Sequence, residues 1–208
     1  MKKITIALIM VISLIAPIQT MAESVTQNGT IIEPLEQNIE QIIDEITSEP
    51  RPINSDAIQN VKEYISEYFG NLGYDKIEYQ KFEYNDENNE NAIRHSSQAD
   101  VFLASTAEDA IVDGIGENII VTKNSSIDTT KNLIISAHYD SAEDSVGAND
   151  NGSGVAAVLE LARILKDTEI PYNIKFILFS GEEKYMLGSR WYVGKLTEDE
   201  RKQIIGVI

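Results

Sequence analysis

Asn132-Leu133-Ile134-Ile135-Ser136-Ala137-His138-Tyr139-Asp140 is a short apolar run that stops at a histidine and an aspartate. Its length and aliphatic content suit a buried strand. Downstream, Gly152 to Leu165 places Val155, Val158, Leu159, Ala162 and Leu165 on one helical face. Asn173–Phe179 is a second apolar run of strand length. A strand, a helix and a strand in that order are the parts of a crossover between parallel neighbours. The expected fold is therefore an α/β layer fold with a partly parallel sheet.

Outward from this unit, Leu35, Ile39, Ile42, Ile43 and Ile46 share a helical face, and Pro50-Arg51-Pro52 breaks that helix. Ser55 is placed to cap a second helix with Ile58, Val61, Ile65, Phe69 and Leu72 inward, ending near Gly70 and Gly73. Lys76–Tyr84 alternates imperfectly, with Ile77, Tyr79 and Lys81 on one face of a strand and Glu78, Gln80 and Phe82 on the other. Asn85–Ser97 reads as a solvated loop. Asp100–Ala104 and Asn118–Thr122 read as strands, Tyr185–Leu196 and Glu198–Gln203 as helices, and Ile204–Ile208 as the start of a further apolar segment.

Composition narrows the function. The chain has 208 residues, a formal charge of −17, no cysteine and two histidines, His95 and His138. Its 42% hydrophobic and 25% charged residues are ordinary for a folded domain. The absence of cysteine rules out disulfides, thiol nucleophiles and cysteine-ligated zinc. Two histidines cannot supply a three-histidine site. The acidic balance disfavours nucleic acid, whose phosphates it would repel. At the N-terminus, Lys2 and Lys3 precede an apolar run from Ile4 to Ile18 and the small-residue end Thr20-Met21-Ala22. That is the pattern of a secretory signal peptide over 1–22. The expectation is export, with no stable membrane association after cleavage.

The residues able to carry chemistry follow two strand ends, where α/β sheets place their sites. His138 and Asp140 are two apart, so their side chains share a face, and Asp140 can orient the imidazole. A plain strand-end histidine with a local hydrogen bond is the alternative. Asp150 lies in the glycine-rich turn Gly147-Ala148-Asn149-Asp150-Asn151-Gly152-Ser153-Gly154. Helix capping is the ordinary role for such an Asp, but Asn151 or Ser153 can cap equally well. Glu182-Glu183 follows the apolar strand ending at Phe179. Paired carboxylates at a buried strand end are costly unless a cation neutralises them, and a metal does so. One of the two can then ligate while the other holds a water. An exposed acidic turn is the bland reading of the same pair.

Other motifs fail on context. Gly152-Ser153-Gly154-Val155-Ala156-Ala157 fits a dinucleotide pattern but does not open directly from a strand. Starting a calcium loop at Asp140 places Ala142 and Ser145 where Asp or Asn and then Gly are required. No HExxH is present.

Taken together, His138-Tyr139-Asp140, the turn Gly147–Gly154 and Glu182-Glu183-Lys184-Tyr185-Met186-Leu187-Gly188-Ser189 resemble, in order and spacing, peptidase family M28. Its members are co-catalytic dizinc aminopeptidases. Glu160-Leu161-Ala162-Arg163 is similar to the family's helix as well. The resemblance implies a three-layer α/β/α fold with a mixed, mostly parallel central sheet, of the phosphorylase/hydrolase-like zinc exopeptidase type. It implies that His138 binds one zinc, Asp150 bridges two, Glu183 binds the second, Glu182 is the general base and Asp140 supports His138. It also implies a cis peptide at Asp150–Asn151. The implied partner is a peptide or protein with a free N-terminus.

The family pattern also has a further Asp after the next strand and a distal His, and neither has a counterpart before Ile208. His95 precedes every motif and is not assigned. The expectation is a leader over 1–22, a lead-in and helix over 23–50, and the N-terminal two-thirds of a peptidase domain over 51–208. Such an incomplete domain would bind metal weakly and expose apolar surface. The alternatives are a vestigial site in a binding module, which would have no use for Glu182, and a glutaminyl-cyclase-like zinc transferase on the same fold.

Overall fold

The computed structural model describes residues 34–85 and 113–208, together with the strand residues 26–27 and 30–31. The leader, His95, most of the Asn85–Ser97 loop and the expected strand Asp100–Ala104 lie outside the described residues. Two short strands, β1 (Thr26–Gln27) and β2 (Thr30–Ile31), pair antiparallel. Helix α1 (Glu36–Ile46) buries Ile39, Ile42 and Ile46. Leu35 is exposed and stands at the N-cap instead of on the buried face. Its backbone N–H donates to Glu160 Oε1 at 2.8 Å, which fixes where the helix starts.

Helix α2 (Asp56–Asn71) is capped as expected, with Ser55 Oγ accepting the Ile58 N–H at 3.1 Å. The helix runs through Gly70. The chain turns at Gly73, where φ is +84°. The central sheet is built from β3 (Ile77–Tyr84), β4 (Gly114–Lys123), β5 (Asn132–His138), β6 (Asn173–Phe179) and β7 (Ile204–Val207). Their order is β3-β4-β6-β5-β7. The pairings β3/β4 and β4/β6 are antiparallel, while β6/β5 and β5/β7 are parallel. The sheet is thus mixed, and its parallel half carries the ends at His138 and Phe179.

The crossover between β5 and β6 runs through the turn Ala148–Gly152 and helix α3 (Ser153–Leu165). Helices α4 (Leu187–Lys195) and α5 (Glu198–Gln203) lead from β6 to β7. Helix α4 begins later than its apolar pattern suggests, because Tyr185 and Met186 adopt left-handed φ values of 65° and 59°. Helix α5 opens on a capping box between Thr197 and Glu200.

Strand alternation divides the core into two layers. Ile119, Val121, Leu133, Ile135, Ile174, Phe176 and Leu178 face α1, α2 and α3. Ile120, Ile134 and Ile177 face the other way, onto Tyr192 of α4. The three-layer α/β/α arrangement follows. Phe69, Tyr74 and Phe176 form an aromatic cluster, with Phe69 fully buried. Full burial of Phe69 and of Phe176 contributes about 1.5–3 kcal/mol of transfer free energy each. A polar knot ties α1 to α3. Glu160, fully buried, accepts from Leu35 N–H, from Asn38 Nδ2 and from Arg163 Nε and Nη2.

Candidate metal centre

Parallel pairing places His138 directly beside Phe179, so the chain segments following both strands emerge at one edge of the sheet. The first segment delivers His138 and Asp140, and the second delivers Glu182 and Glu183. Ligand atoms of His138, Glu182 and Glu183 lie within 4.8 Å of one another. The Nε2 of His138 is 3.0 Å from Asp150 Oδ1 and 3.8 Å from Glu182 Oε2. Asp150 therefore joins through the imidazole and stands outside the three-residue group. The Asp150–Asn151 peptide is cis.

Asn151 does the capping, since its Oδ1 accepts the Gly154 N–H at 3.1 Å. This leaves the Asp150 carboxylate free to face His138. The glutamates are more open than a buried strand end implies: Glu182 is half-buried and Glu183 is exposed. The burial falls instead on the backbone beneath them, where Ser180 and Gly181 are enclosed.

Asp140, 1% exposed, does more than orient an imidazole. His138 Nδ1 is 3.2 Å from the Asp140 carbonyl oxygen and 3.5 Å from its Oδ1. The two carboxylate oxygens accept the backbone N–H groups of Glu182 and Glu183, both at 3.1 Å. Asp140 thus locks the segment after β6 to the segment after β5. Asn118 adds a second lock on β4. Its Oδ1 accepts the Ser180 N–H at 3.1 Å, and its Nδ2 donates to Gly188 O at 2.9 Å.

The charge distribution matches this crowding. Burial alone would lower the His138 pKa. The hydrogen bond and charge of Asp140, the charge of Glu182 and the Asp150 hydrogen bond outweigh it, pushing the value up to about 9. The Glu183 carboxyl is raised by desolvation and by Asp150, Asp140 and Glu182, with His138 opposing. One imidazole among several carboxylates, held in surplus negative charge, is a donor set suited to zinc and similar divalent ions. The residues present fit such an ion on the chemistry of their donors.

Two residues escaped the reading of the sequence. Arg51 appeared only as part of a helix-breaking Pro-Arg-Pro, although a single cation between prolines in an acidic chain was a signal. Asn118 opened an apolar run and gave no other sign. Arg51 is fully buried at the base of the site and contacts Tyr139, Val146 and Gly147 through its guanidinium.

Comparison with known proteins agrees with the fold. Residues 118–208 match the model of peptidase family M28. Over that segment the chain is similar to this family. It is 43% identical over 95 residues to aminopeptidase YwaD of Bacillus subtilis, covering 45% of this chain and 21% of that protein. It is 31% identical over 150 residues to a vacuolar membrane protease of Schizosaccharomyces japonicus, covering 71% of this chain and 16% of that protein. The chain therefore spans about a fifth or less of the length of these relatives. Among solved structures, a zinc aminopeptidase from Bacillus subtilis superposes with a TM-score of 0.66 at 18% identity, covering 83% of this chain and 68% of that one. A glutaminyl cyclase from Porphyromonas gingivalis gives 0.56 at 19% identity, covering 75% and 51%. These two likenesses establish the fold.

Proposed function

We propose that this chain provides the metal-binding strand ends of a secreted, metal-dependent exopeptidase that removes N-terminal amino acids. The single observation that carries the reading is the convergence of His138, Glu182 and Glu183 at the ends of two parallel strands, with Asp150 on the imidazole. His138, Asp150 and Glu183 would hold zinc, two ions in the complete centre. The bound ions would supply Lewis-acid polarisation of the scissile carbonyl and a more acidic attacking water.

The protein's own groups do the rest. Glu182, half-buried beside His138, takes the proton from the attacking water on a carboxylate oxygen and delivers it to the departing amine. Asp140 holds the Glu182 and Glu183 backbones so that both carboxylates stay at the mouth of the site. The acidic surroundings attract a substrate's free α-ammonium group, which suits a peptide with an unblocked N-terminus. The basic and apolar residues within 1–22 support export. Among the described residues no helix is long and apolar enough to cross a membrane.

The test is peptide hydrolysis by the full gene product after zinc loading. A peptide with a free N-terminus should lose single residues in order, and its N-acetylated form should be inert. Cyclisation of an N-terminal glutamine in place of hydrolysis would move the site to the glutaminyl-cyclase reading.

A further inference from the structure

We propose that Arg51 is a positioning residue for this metal centre: by gathering three carbonyls of the loop between β5 and α3, it sets where Asp150 stands relative to His138. The inference rests on the metal-centre reading above and concerns how that centre is held.

Among the described residues Arg51 is the largest of the fully buried side chains, and no other lysine or arginine is buried. Its Nε donates to Tyr139 O at 2.7 Å, Nη2 donates to Gly147 O at 3.1 Å, and Nη1 donates to Val146 O. Tyr139 directly follows His138, and Gly147 precedes Asp150 by three residues. One guanidinium therefore cinches the loop at both ends, one beside His138 and the other three residues before Asp150. The backbone reinforces the grip: Arg51 N–H donates to Ser141 Oγ at 2.9 Å, and Ser141 N–H donates to Arg51 O at 3.2 Å.

Gly147 O also accepts the Gly152 N–H at 2.9 Å, so the anchored carbonyl is itself part of the turn that presents Asp150. Glycine is required at 147. Its φ is +57°, and an added Cβ would press on Asp150 O, Ser141 Cβ and, at 3.3 Å, Arg51 Nη2. A planar fork of fixed N–H directions can serve three separated carbonyls, whereas a lysine ammonium cannot reach all of them. These partners are neutral. The charge of Arg51 is balanced from further off by Asp140 and Glu183, whose fields oppose the lowering of its pKa by burial.

Charge and position make opposite forecasts for a metal. A buried cation near the site repels an incoming divalent ion, so a purely electrostatic role predicts tighter binding when Arg51 is neutralised. A positioning role predicts weaker binding whether or not the charge is kept. The experiment titrates Co(II) and Zn(II) into the 208-residue chain and its R51K and R51M variants. It reads affinity by calorimetry, ligand geometry from the Co(II) visible spectrum, and folding by circular dichroism.

Both variants are expected to bind about tenfold or more weakly, as when a support of a metal ligand is lost, with altered Co(II) bands. R51K unchanged with R51M binding more tightly would overturn the proposal in favour of charge alone. Unchanged affinity and spectra in both folded variants would overturn it while leaving the metal-centre reading intact. A folded wild-type chain that takes up neither metal would overturn that reading itself. Should the variants not fold, the wild-type chain supplies the answer by 15N NMR. Zinc saturation is expected to slow solvent exchange of the Arg51 Nε–H, because coupling between metal and contact is reciprocal. An unchanged exchange rate would overturn the proposal.

Discussion

The Asp140 carboxylate accepts the backbone N–H of Glu183 at 3.1 Å, across 43 residues of sequence. Its other oxygen accepts the N–H of Glu182 at the same distance. Both candidate glutamates thus hang from the strand end that carries His138. Asp140→Asn replaces one acceptor with a donor that faces an N–H. We expect a stability loss of about 1–3 kcal/mol in urea unfolding. Zinc affinity is expected to fall by about 10–100-fold, measured against a chelating dye.

Metal uptake should depend on pH through His138. With its pKa at about 9, the imidazole is protonated near neutrality and must lose that proton to ligate. Below about 9, affinity is expected to rise by close to tenfold per pH unit for this one proton. Calorimetry in buffers of different ionisation enthalpy should show proton release on binding. For the metal-free chain the sign is the reverse. The folded pKa exceeds the unfolded value of about 6.5. The stabilisation from His138 is therefore fully present below about 6.5 and lost as pH climbs through about 9. Urea midpoints measured across that window test it.

Glu182→Gln keeps the shape and removes the proton acceptor. In the full gene product, turnover should fall by about 10²–10⁴-fold with metal content unchanged by elemental analysis. A parallel loss of metal would reassign Glu182 as a ligand, a role its place within the 4.8 Å group allows.

Gly188→Ala addresses the second lock. An added Cβ would run into Asn118 Oδ1 and the backbone oxygen of Ser180. Overpacking of this kind costs about 1–3 kcal/mol, and here it displaces the amide that holds the Ser180 N–H. Lower thermal stability together with weaker zinc binding is expected.

Glu160→Ala tests the knot between α1 and α3. It leaves the Leu35 N–H and Asn38 without their buried acceptor, while the partly exposed Arg163 turns to solvent. The expected loss is about 1–3 kcal/mol in urea unfolding, with metal affinity little changed.

The strands β5 and β6 and helix α3 were legible because apolar periodicity is a local property, and each of these elements packs by repeating it. His138 and Asp140 were legible as a pair two residues apart, and the Glu-Glu pair by standing just beyond a nearly wholly apolar strand. The same local rules misplaced Leu35, whose side chain fits the helical stripe while its N–H is taken by Glu160. They also extended α4 through Tyr185 and Met186, whose left-handed turn carries no pattern of its own.

By itself, then, the sequence determined the strand and helix runs, the candidate donors and their resemblance to one family pattern, since all are written in short-range spacing. Only the tertiary structure decided that Asp140 grips two backbone N–H groups, that Asn118 clamps Ser180, and that Arg51 lies beneath the loop it holds. The contacts of Arg51 with Tyr139 and Gly147 join residues 88 and 96 positions apart. Hydrogen bonds of such span exist only after the sheet has brought its strand ends together, and no local pattern encodes them.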